Sequence, residues 1–265
     1  MNARIDVWVL GASVVAVLLY LLFPIVVVIG ASFNPTTALQ FPPSGFSLKW
    51  YQEIAGNPDW INAFIVTLEV GAITTLLSLL FGVPAGFALS RYRVKGKTLV
   101  TALLLSALVA PHIVRAVSTY LFYVPLGLNN TILGLAIAHS IGGIPFVVIN
   151  LGASLRSFDP TLERAAVIHG AHPVRAVLTI TFPVVAPGII VGALFAFMQS
   201  AQELLISIFV LGTLQMPIAV KLWEGVRVAV DPTLAAASSL LVLAALGFFL
   251  LAALARRGAA PAPNA

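Results

Sequence analysis

Long uncharged apolar runs are the feature of this sequence that most restricts its fold. No residue from Val7 to Phe33 is charged, and only Glu69 interrupts the apolar run from Ile61 to Ser90. About 20 apolar residues let one helix cross a bilayer. Only 9% of the 265 residues are charged, whereas about 25% is usual in soluble domains. The runs lack the short polar and apolar alternation of a membrane barrel. We therefore predict an all-α integral membrane protein.

Six spanning helices are expected within a single domain of residues 1–265. We place them at about residues 7–31, 61–90, 98–123, 130–155, 184–208 and 232–255. The first run is too long for a cleaved signal peptide, and no clear cleavage site follows it. Gly212 and Pro217 argue against one continuous helix over 204–220. Residues 256–265 are predicted to form a disordered tail.

The basic residues predict the orientation of the chain. With six spans, ten of the 14 Lys and Arg residues fall on the side of both termini, and four fall on the other side. Cytoplasmic loops carry an excess of Lys and Arg, so both termini are expected in the cytoplasm. The ten are Arg4, Arg91, Arg93, Lys95, Lys97, Arg156, Arg164, Arg175, Arg256 and Arg257; the four are Lys49, Arg115, Lys221 and Arg227.

Several chemistries are not expected from this sequence. It has no cysteine, so disulfides and thiolate sites are excluded. The "GKT" at 96–98 is not a phosphate-binding loop, because that loop needs a glycine where Arg91 stands. The four histidines lack metal-ligand spacing, and no nucleophile and base pair is readable. We expect no metal, no cofactor bound by this chain, no enzyme activity and no nucleic-acid partner.

Carboxylates near or within the spans are candidates for a substrate path. A charged residue at the centre of a spanning helix costs about 2.5–3.5 kcal/mol on insertion scales. Glu69 therefore either borders a polar path inside the bundle, or makes a structural hydrogen bond or stays wet near the outer interface. Glu203, which follows Gln202, either meets a solute from outside or faces water. Tyr120 and Trp223 are further candidates for the path.

The loop at 156–183 interrupts the apolar pattern with "LERAAVIHGAHPVRAVLTITFP" at 162–183. "DPTL" precedes it at 159–162 and recurs at 231–234, and each copy predicts a helix start by Asp capping with Pro at the first position. Gly170 permits a sharp change of direction. A second short helix is expected from Pro173 to "FP" at 182–183. We predict a cytoplasmic helix-turn-helix that needs a docking surface. A helix on lipid headgroups would separate its basic and apolar faces more clearly.

"ERAAVIHGA" and "ITFPVVAPGI" resemble the cytoplasmic coupling loop of ABC importer permeases. The family pattern has Glu-Ala-Ala followed by Gly, and this chain keeps Ala165, Ala166 and Gly170. It departs at Arg164, where the pattern has glutamate, and its own carboxylate falls one position earlier at Glu163. The residues that the resemblance assigns to coupling with an ATPase are Glu163, Arg164, Ala165, Ala166, Gly170, Ala171 and Pro173.

Three further segments are similar to the second membrane subunit of spermidine/putrescine permeases: residues 41–54, 127–151 and 222–243. The resemblance implies a type I importer permease of MetI-like architecture with a cytoplasmic coupling helix in a bacterial inner membrane. The implied partners are membrane lipid, a second permease subunit, two ATPase subunits that bind ATP and Mg, and a periplasmic or lipid-anchored solute-binding protein. The implied substrate is a polyamine or a related small polar solute.

Three alternatives stay open. An ion-coupled secondary transporter would use Glu69 for a proton and need no ATPase. An ABC permease of the same fold could carry a non-polyamine substrate such as an amino-acid derivative. A membrane enzyme or assembly scaffold would show no transport defect on deletion.

Overall fold

A computed structural model describes residues 3–212 and 215–258, and the side chains of residues 8–212 and 215–250. These residues form twelve α-helices, which confirms the all-α prediction. The helices are α1 Ala3–Ala31, α2 Lys49–Gly56, α3 Pro58–Arg91, α4 Lys97–Val109, α5 His112–Tyr123, α6 Ile132–Arg156, α7 Thr161–Ile168, α8 Pro173–Ala176, α9 Phe182–Gln202, α10 Leu205–Leu211, α11 Ile218–Val228 and α12 Pro232–Gly258.

Five continuous helical segments of the described chain are long and apolar enough to cross a membrane, and a bent pair makes a sixth candidate. The pair is α4 with α5, which meet at an angle of 102°. The predicted third span over 98–123 is therefore broken between Val109 and His112. Pro111 has no backbone N–H, and its ring holds Ala110 at φ −59° and ψ 134°, outside the helical region.

The fifth candidate span is longer on the basic-loop side than the sequence suggested. No break occurs at 182–183, because α8 continues through a π-helical turn at Val177–Thr181 into α9. The amide of Phe182 donates to the carbonyl of Val177, five residues back. This wider turn accommodates Pro183, which cannot donate in a regular helix. The other end, expected at 208, is at Gln202, where Glu203 takes extended geometry.

Two further expectations concern the last third of the chain. Residues 204–220 do not form one helix: α10 ends at Leu211, Gly212 has φ +59°, and α11 begins at Ile218. The predicted tail at 256–265 differs in part, because α12 continues to Gly258. Residues 259–265 lie outside the described residues.

The chain forms two compact units. The first consists of residues up to 61 and residues 221–244, and the second of residues 62–220 and the chain from 245. In the first unit, Trp50 is buried, and its indole N–H donates to the backbone oxygen of Asn34 at 2.7 Å. The Tyr51 and Ser32 hydroxyls lie 2.7 Å apart. These bonds fix α2 against the end of α1.

The second unit is built around α6, which packs closely on both α3 and α9. A Cβ added at Gly82 would lie 2.8 Å from Cβ of Val147, and one at Gly86 would lie 2.9 Å from Cδ2 of Leu151. On the other side, a Cβ at Gly192 would lie 2.8 Å from Cα of Val147. The glycines of "GVPAG" at 82–86 therefore allow close helix packing.

Candidate functional site

Aspartate caps begin both helices that follow "DPTL". The Oδ1 atom of Asp159 accepts from the amide of Thr161 at 2.9 Å, and that of Asp231 accepts from the amide of Thr233 at 2.8 Å. The predicted helix starts are confirmed. The backbone hydrogen bond from Thr161 lowers the pKa of the exposed Asp159 carboxyl. The cap is therefore charged at neutral pH.

A glycine turn ends α7 and sets the direction of α8. Gly170 has φ +90°, a conformation that disfavours residues with a Cβ. The amide of Ala171 donates to the carbonyl of Ala166, and that of Gly170 donates to the carbonyl of Val167, both at 3.0 Å. This pattern satisfies carbonyls at the helix end. The predicted change of direction at Gly170 is confirmed, and Pro173 begins α8.

The surface of α7 and α8 away from the spans is largely apolar and exposed. Ile168 is 83% exposed and Val174 is 60% exposed. Arg164 and Ala165 are also exposed, whereas Ala166 and Ala171 are half-buried. No heavy atom beyond the chain neighbours lies within 4 Å of a Cβ built at Gly170. The segment thus has room for a neighbouring surface to approach its backbone.

Glu163 connects this segment to two membrane helices. Its Oε2 atom accepts hydrogen bonds from Arg91, the last residue of α3, and from the hydroxyl of Thr181 at 2.7 Å. The guanidinium carbon of Arg91 also lies 5.1 Å from the ring centroid of Phe158 and 5.6 Å from that of Phe87. We call the three residues Arg91, Glu163 and Thr181 the joint. It holds α7 against the ends of α3 and α9.

The charges of the joint are well matched. Partial burial raises the pKa of Glu163, but the hydrogen bonds from Thr181 and Arg91 and the positive charge of Arg91 outweigh it and lower the pKa overall. Glu163 is therefore an anion at neutral pH, paired with a cation. Sequence reasoning missed Arg91 and Thr181 as members of this site, because no local pattern relates Glu163 to residues 72 and 18 positions away.

A second ion pair lies at the end of α9. Arg115 of α5 donates to Oε2 of Glu203 at 2.8 Å, and Glu203 is only 4% exposed. The same oxygen accepts from the side-chain amide of Gln199 at 3.2 Å and lies 3.4 Å from Nδ1 of His112. A cavity of about 270 Å³ borders this cluster, and Gln202 also lines it. The structure brings Gln202 and Glu203 to one cavity, but a cation already neutralises the carboxylate.

A buried histidine holds the helices around this cluster. His139 of α6 is 1% exposed, and its Nδ1 lies 2.8 Å from the hydroxyl of Ser200 in α9. Its Nε2 lies 3.4 Å from the hydroxyl of Ser207 in α10, and Ser200 donates to Thr74 of α3 at 3.3 Å. Both ring nitrogens therefore have partners. The contacts of His139 and Ser200 join four helices: α3, α6, α9 and α10. Neither ring nitrogen of His139 is left free to hydrogen-bond a solute.

Glu69 lies on an exposed stripe of α3. The stripe repeats at helical spacing, at Asn62, Ile65, Glu69, Ala72 and Leu76. Within the described side chains, Glu69 forms no ion pair. Glu69 is 22 residues from Arg91, which is about 33 Å along the helix. The hydrocarbon core of a bilayer is about 30 Å thick, so the two residues are separated by about one core thickness.

The two aromatic candidates are both partly exposed. Tyr120 in α5 is 40% exposed and packs edge-on against Phe209, with ring centroids 6.4 Å apart. Trp223 in α11 is 45% exposed and belongs to the first unit. Neither contacts the ion pair of Arg115 and Glu203 through a described hydrogen bond.

A family profile decides the identity. The family described as the binding-protein-dependent transport system inner membrane component matches residues 78–259, more than half of the chain. The chain belongs to this family. It is a membrane-spanning permease subunit of an ABC importer, a transport protein of the inner membrane and not an enzyme.

Relatives and solved structures agree with this assignment. The permease is 28% identical over 236 residues to the spermidine/putrescine transport system permease protein PotC of Escherichia coli strain K12. The alignment covers 89% of each chain. It matches a structure of a bacterial ABC transporter that imports the acidic polysaccharide alginate, with a TM-score of 0.74, 16% identity and coverage of 95% and 97%. It also matches the MetNI methionine ABC transporter, with a TM-score of 0.62, 16% identity and coverage of 76% and 96%. These two structures confirm the predicted MetI-like fold.

Proposed function

We propose that α7 and α8 form the segment through which a separate ATPase drives this permease. The observation that carries this proposal is the joint, since an exposed helix pair is useful as a lever only if it is fixed to the spans. Arg91 and Thr181 fix it to α3 and to the helix that continues as α9. Closure of two ATPase subunits around ATP and Mg would move α7 and α8 as one body. The spans would then shift between inward-facing and outward-facing states.

The proposed assembly contains this chain, a second and different permease subunit, two ATPase subunits and a solute-binding protein. Both termini lie in the cytoplasm, because that orientation places ten of the 14 basic residues inside. The exposed apolar residues of α7 and α8 would be covered by the ATPase. Residues at the contact are Arg164, Ala165, Ala166, Gly170, Ala171 and Pro173.

A bulky side chain at Ala165 tests the docking of the ATPase. Because Ala165 is exposed in the isolated chain, Ala165→Trp leaves the permease fold intact and obstructs only an approaching partner. We expect a complex that loses its ATPase during purification or hydrolyses ATP without uptake. Lys95→Trp, in the exposed loop between α3 and α4, is the matched control. Normal uptake by Ala165→Trp would overturn the proposal.

For the substrate, we propose a polyamine or a related small cation. PotC of Escherichia coli is named for spermidine and putrescine, and Glu69 gives this chain an exposed carboxylate. A charge facing lipid is costly, so the stripe of α3 that holds Glu69 would line a wet path covered by the second permease. Glu203 is less suited to binding a cation directly, because Arg115 already pairs with it.

Uptake measurements distinguish the substrate classes. We expect Glu69→Gln to reduce spermidine or putrescine uptake into proteoliposomes, whereas Glu53→Gln in exposed α2 leaves it unchanged. Equal uptake in both variants would indicate that Glu69 has only a structural role. Binding assays on the solute-binding protein identify the substrate directly. Uptake that an uncoupler abolishes, and that persists without the ATPase, would instead favour an ion-coupled transporter.

A further inference from the structure

A cavity of about 380 Å³ lies between the end of α3, the start of α4 and the end of α6. Polar side chains line one part of it: Ser90, Lys97, Thr101 and Arg156. A Cβ built at Gly152 would lie 3.4 Å from the hydroxyl of Ser90 and 3.8 Å from Nη1 of Arg156. The hydroxyl and the guanidinium therefore converge over Gly152, which itself lines the cavity.

The charge at this rim is positive and uncompensated. Of the described residues that line the cavity, two are cations and none is a carboxylate. Across residues 8–212 and 215–250, neither Lys97 nor Arg156 forms an ion pair. Arg91, close by in sequence, is already engaged by Glu163. Two cations at one opening call for an anionic ligand.

The remaining lining is mostly apolar: Leu89 and Leu155 stand beside the polar end, and the other large apolar side chains lie deeper along the helices. Leu104 and Leu105 are about two helical turns further along α4 than Lys97, about 10–12 Å away along the axis. On α6, Ile149 and Pro145 are displaced from Arg156 in the same direction, by about 10–16 Å. All four residues line the cavity. The lining is thus cationic near the basic loop and apolar further into the helices. A phospholipid has the matching arrangement, with a charged headgroup followed by acyl chains.

We propose that this cavity binds one anionic phospholipid. The phosphate lies between Lys97 and Arg156, with Ser90 and Thr101 as hydrogen-bond donors, and an acyl chain follows the apolar wall between α4 and α6. Basic pockets between membrane helices are known to favour anionic headgroups. A zwitterionic lipid fits the same wall but loses the net charge complementarity. The site is separate from the joint and from the cavity beside Glu203.

Native mass spectrometry of the full chain, purified in detergent with its co-expressed partner subunits, measures the binding of added phosphatidylglycerol and phosphatidylcholine. We expect phosphatidylglycerol to bind the wild type more tightly. Each removed cation should weaken its binding about fivefold, so Lys97→Gln with Arg156→Gln should weaken it about 25-fold. Arg93→Gln with Lys95→Gln removes the same charge from the same exposed region but does not line the cavity, and should change binding less than twofold.

Two results would overturn the site. An equal loss of phosphatidylglycerol binding in both double variants would indicate that the lipid is attracted by the basic surface in general. Unchanged binding in both would show that Lys97 and Arg156 do not hold the headgroup. Ile149→Trp distinguishes a lipid from a free phosphate, since it narrows the apolar wall and keeps every charge. Lipid binding should fall in Ile149→Trp, and millimolar inorganic phosphate should not displace the lipid. Displacement by phosphate, with Ile149→Trp unaffected, would contradict a phospholipid.

Discussion

Glu163→Gln should release α7 from the spans without unfolding them. Removal of one partner costs about 0–1 kcal/mol at exposed ion pairs and about 3–5 kcal/mol at buried ones. Arg91 and Glu163 are 22% and 21% exposed, and Glu163 also accepts from Thr181. Since the glutamine keeps one acceptor oxygen, we expect a loss of about 2 kcal/mol, between these two limits. This shifts the equilibrium between attached and detached α7 about 30-fold.

Hydrogen exchange of the purified transporter measures this release. The amides of residues 161–170 should exchange about 30-fold faster in Glu163→Gln if detachment limits their protection, while those of α6 keep their wild-type rates. Glu53→Gln, an exposed carboxylate in α2, controls for loss of charge alone. In proteoliposomes, Glu163→Gln should retain ATP hydrolysis and take up less solute per ATP, because the lever is no longer fixed.

A double-mutant cycle with Arg91→Gln isolates the pair. If Arg91 and Glu163 stabilise α7 together, the double variant should exchange little faster than either single variant, with a coupling free energy of about 1–2 kcal/mol. Strictly additive effects would show that the two side chains act independently. Exchange rates within twofold of wild type in Glu163→Gln would refute the joint as the attachment of α7.

Three other predictions concern the ion pair at Glu203, the glycine packing at Gly82 and the protonation of Glu163. Glu203→Gln leaves the largely buried Arg115 without its anion but keeps one acceptor oxygen, so it should destabilise the permease by about 2–4 kcal/mol, seen as a lower Tm, whereas a cation-binding role alone would lower uptake at unchanged Tm. Gly82→Ala should destabilise it by about 1–3 kcal/mol through overpacking, while Gly247→Ala, with open space at its Cβ position, should not lower Tm. Because the pKa of Glu163 is lowered from its ordinary 4.5, its stabilisation of α7 is constant above about pH 4.5 and is lost as pH falls through the lower folded-state pKa. A spin label at Ile168→Cys, in a chain without other cysteines, should become more mobile in that acid range, and in Glu163→Gln it should already be mobile at neutral pH.

Features set by a few neighbouring residues were predictable from the sequence. Asp159 and Asp231 cap helices two residues onward, and Gly170 adopts the positive φ expected of a turn. Pro111 also indicates the bend at Ala110, since a proline restricts the residue before it. The apolar run on both sides nevertheless favours one span. The continuous helix through Pro183 could not be read locally, because a π-helical turn depends on how the helix packs.

Contacts across the fold were not predictable from one sequence. The pairs formed by Arg91 with Glu163 and by Arg115 with Glu203 join residues 72 and 88 positions apart. Sequence alone identifies the carboxylates as costly in a membrane protein, but it does not say which cation satisfies each one. The sequence identifies Arg115 only as one of four basic residues predicted on the outer side. Because Arg115 pairs with Glu203, this carboxylate is already neutralised and is less suited to bind a cation.

The glutamate of the loop at 156–183 stands one position earlier than in the family pattern, and this has a geometric consequence. Consecutive residues of an α-helix point about 100° apart, so Glu163 and Arg164 cannot face the same surface. Glu163 faces the spans and is held by Arg91 and Thr181, whereas Arg164 is exposed beside Ala165. The carboxylate therefore attaches α7 to the spans within this chain, and the surface exposed beside it is cationic at Arg164. An ATPase that docks there would place an acceptor, not a cation, opposite Arg164.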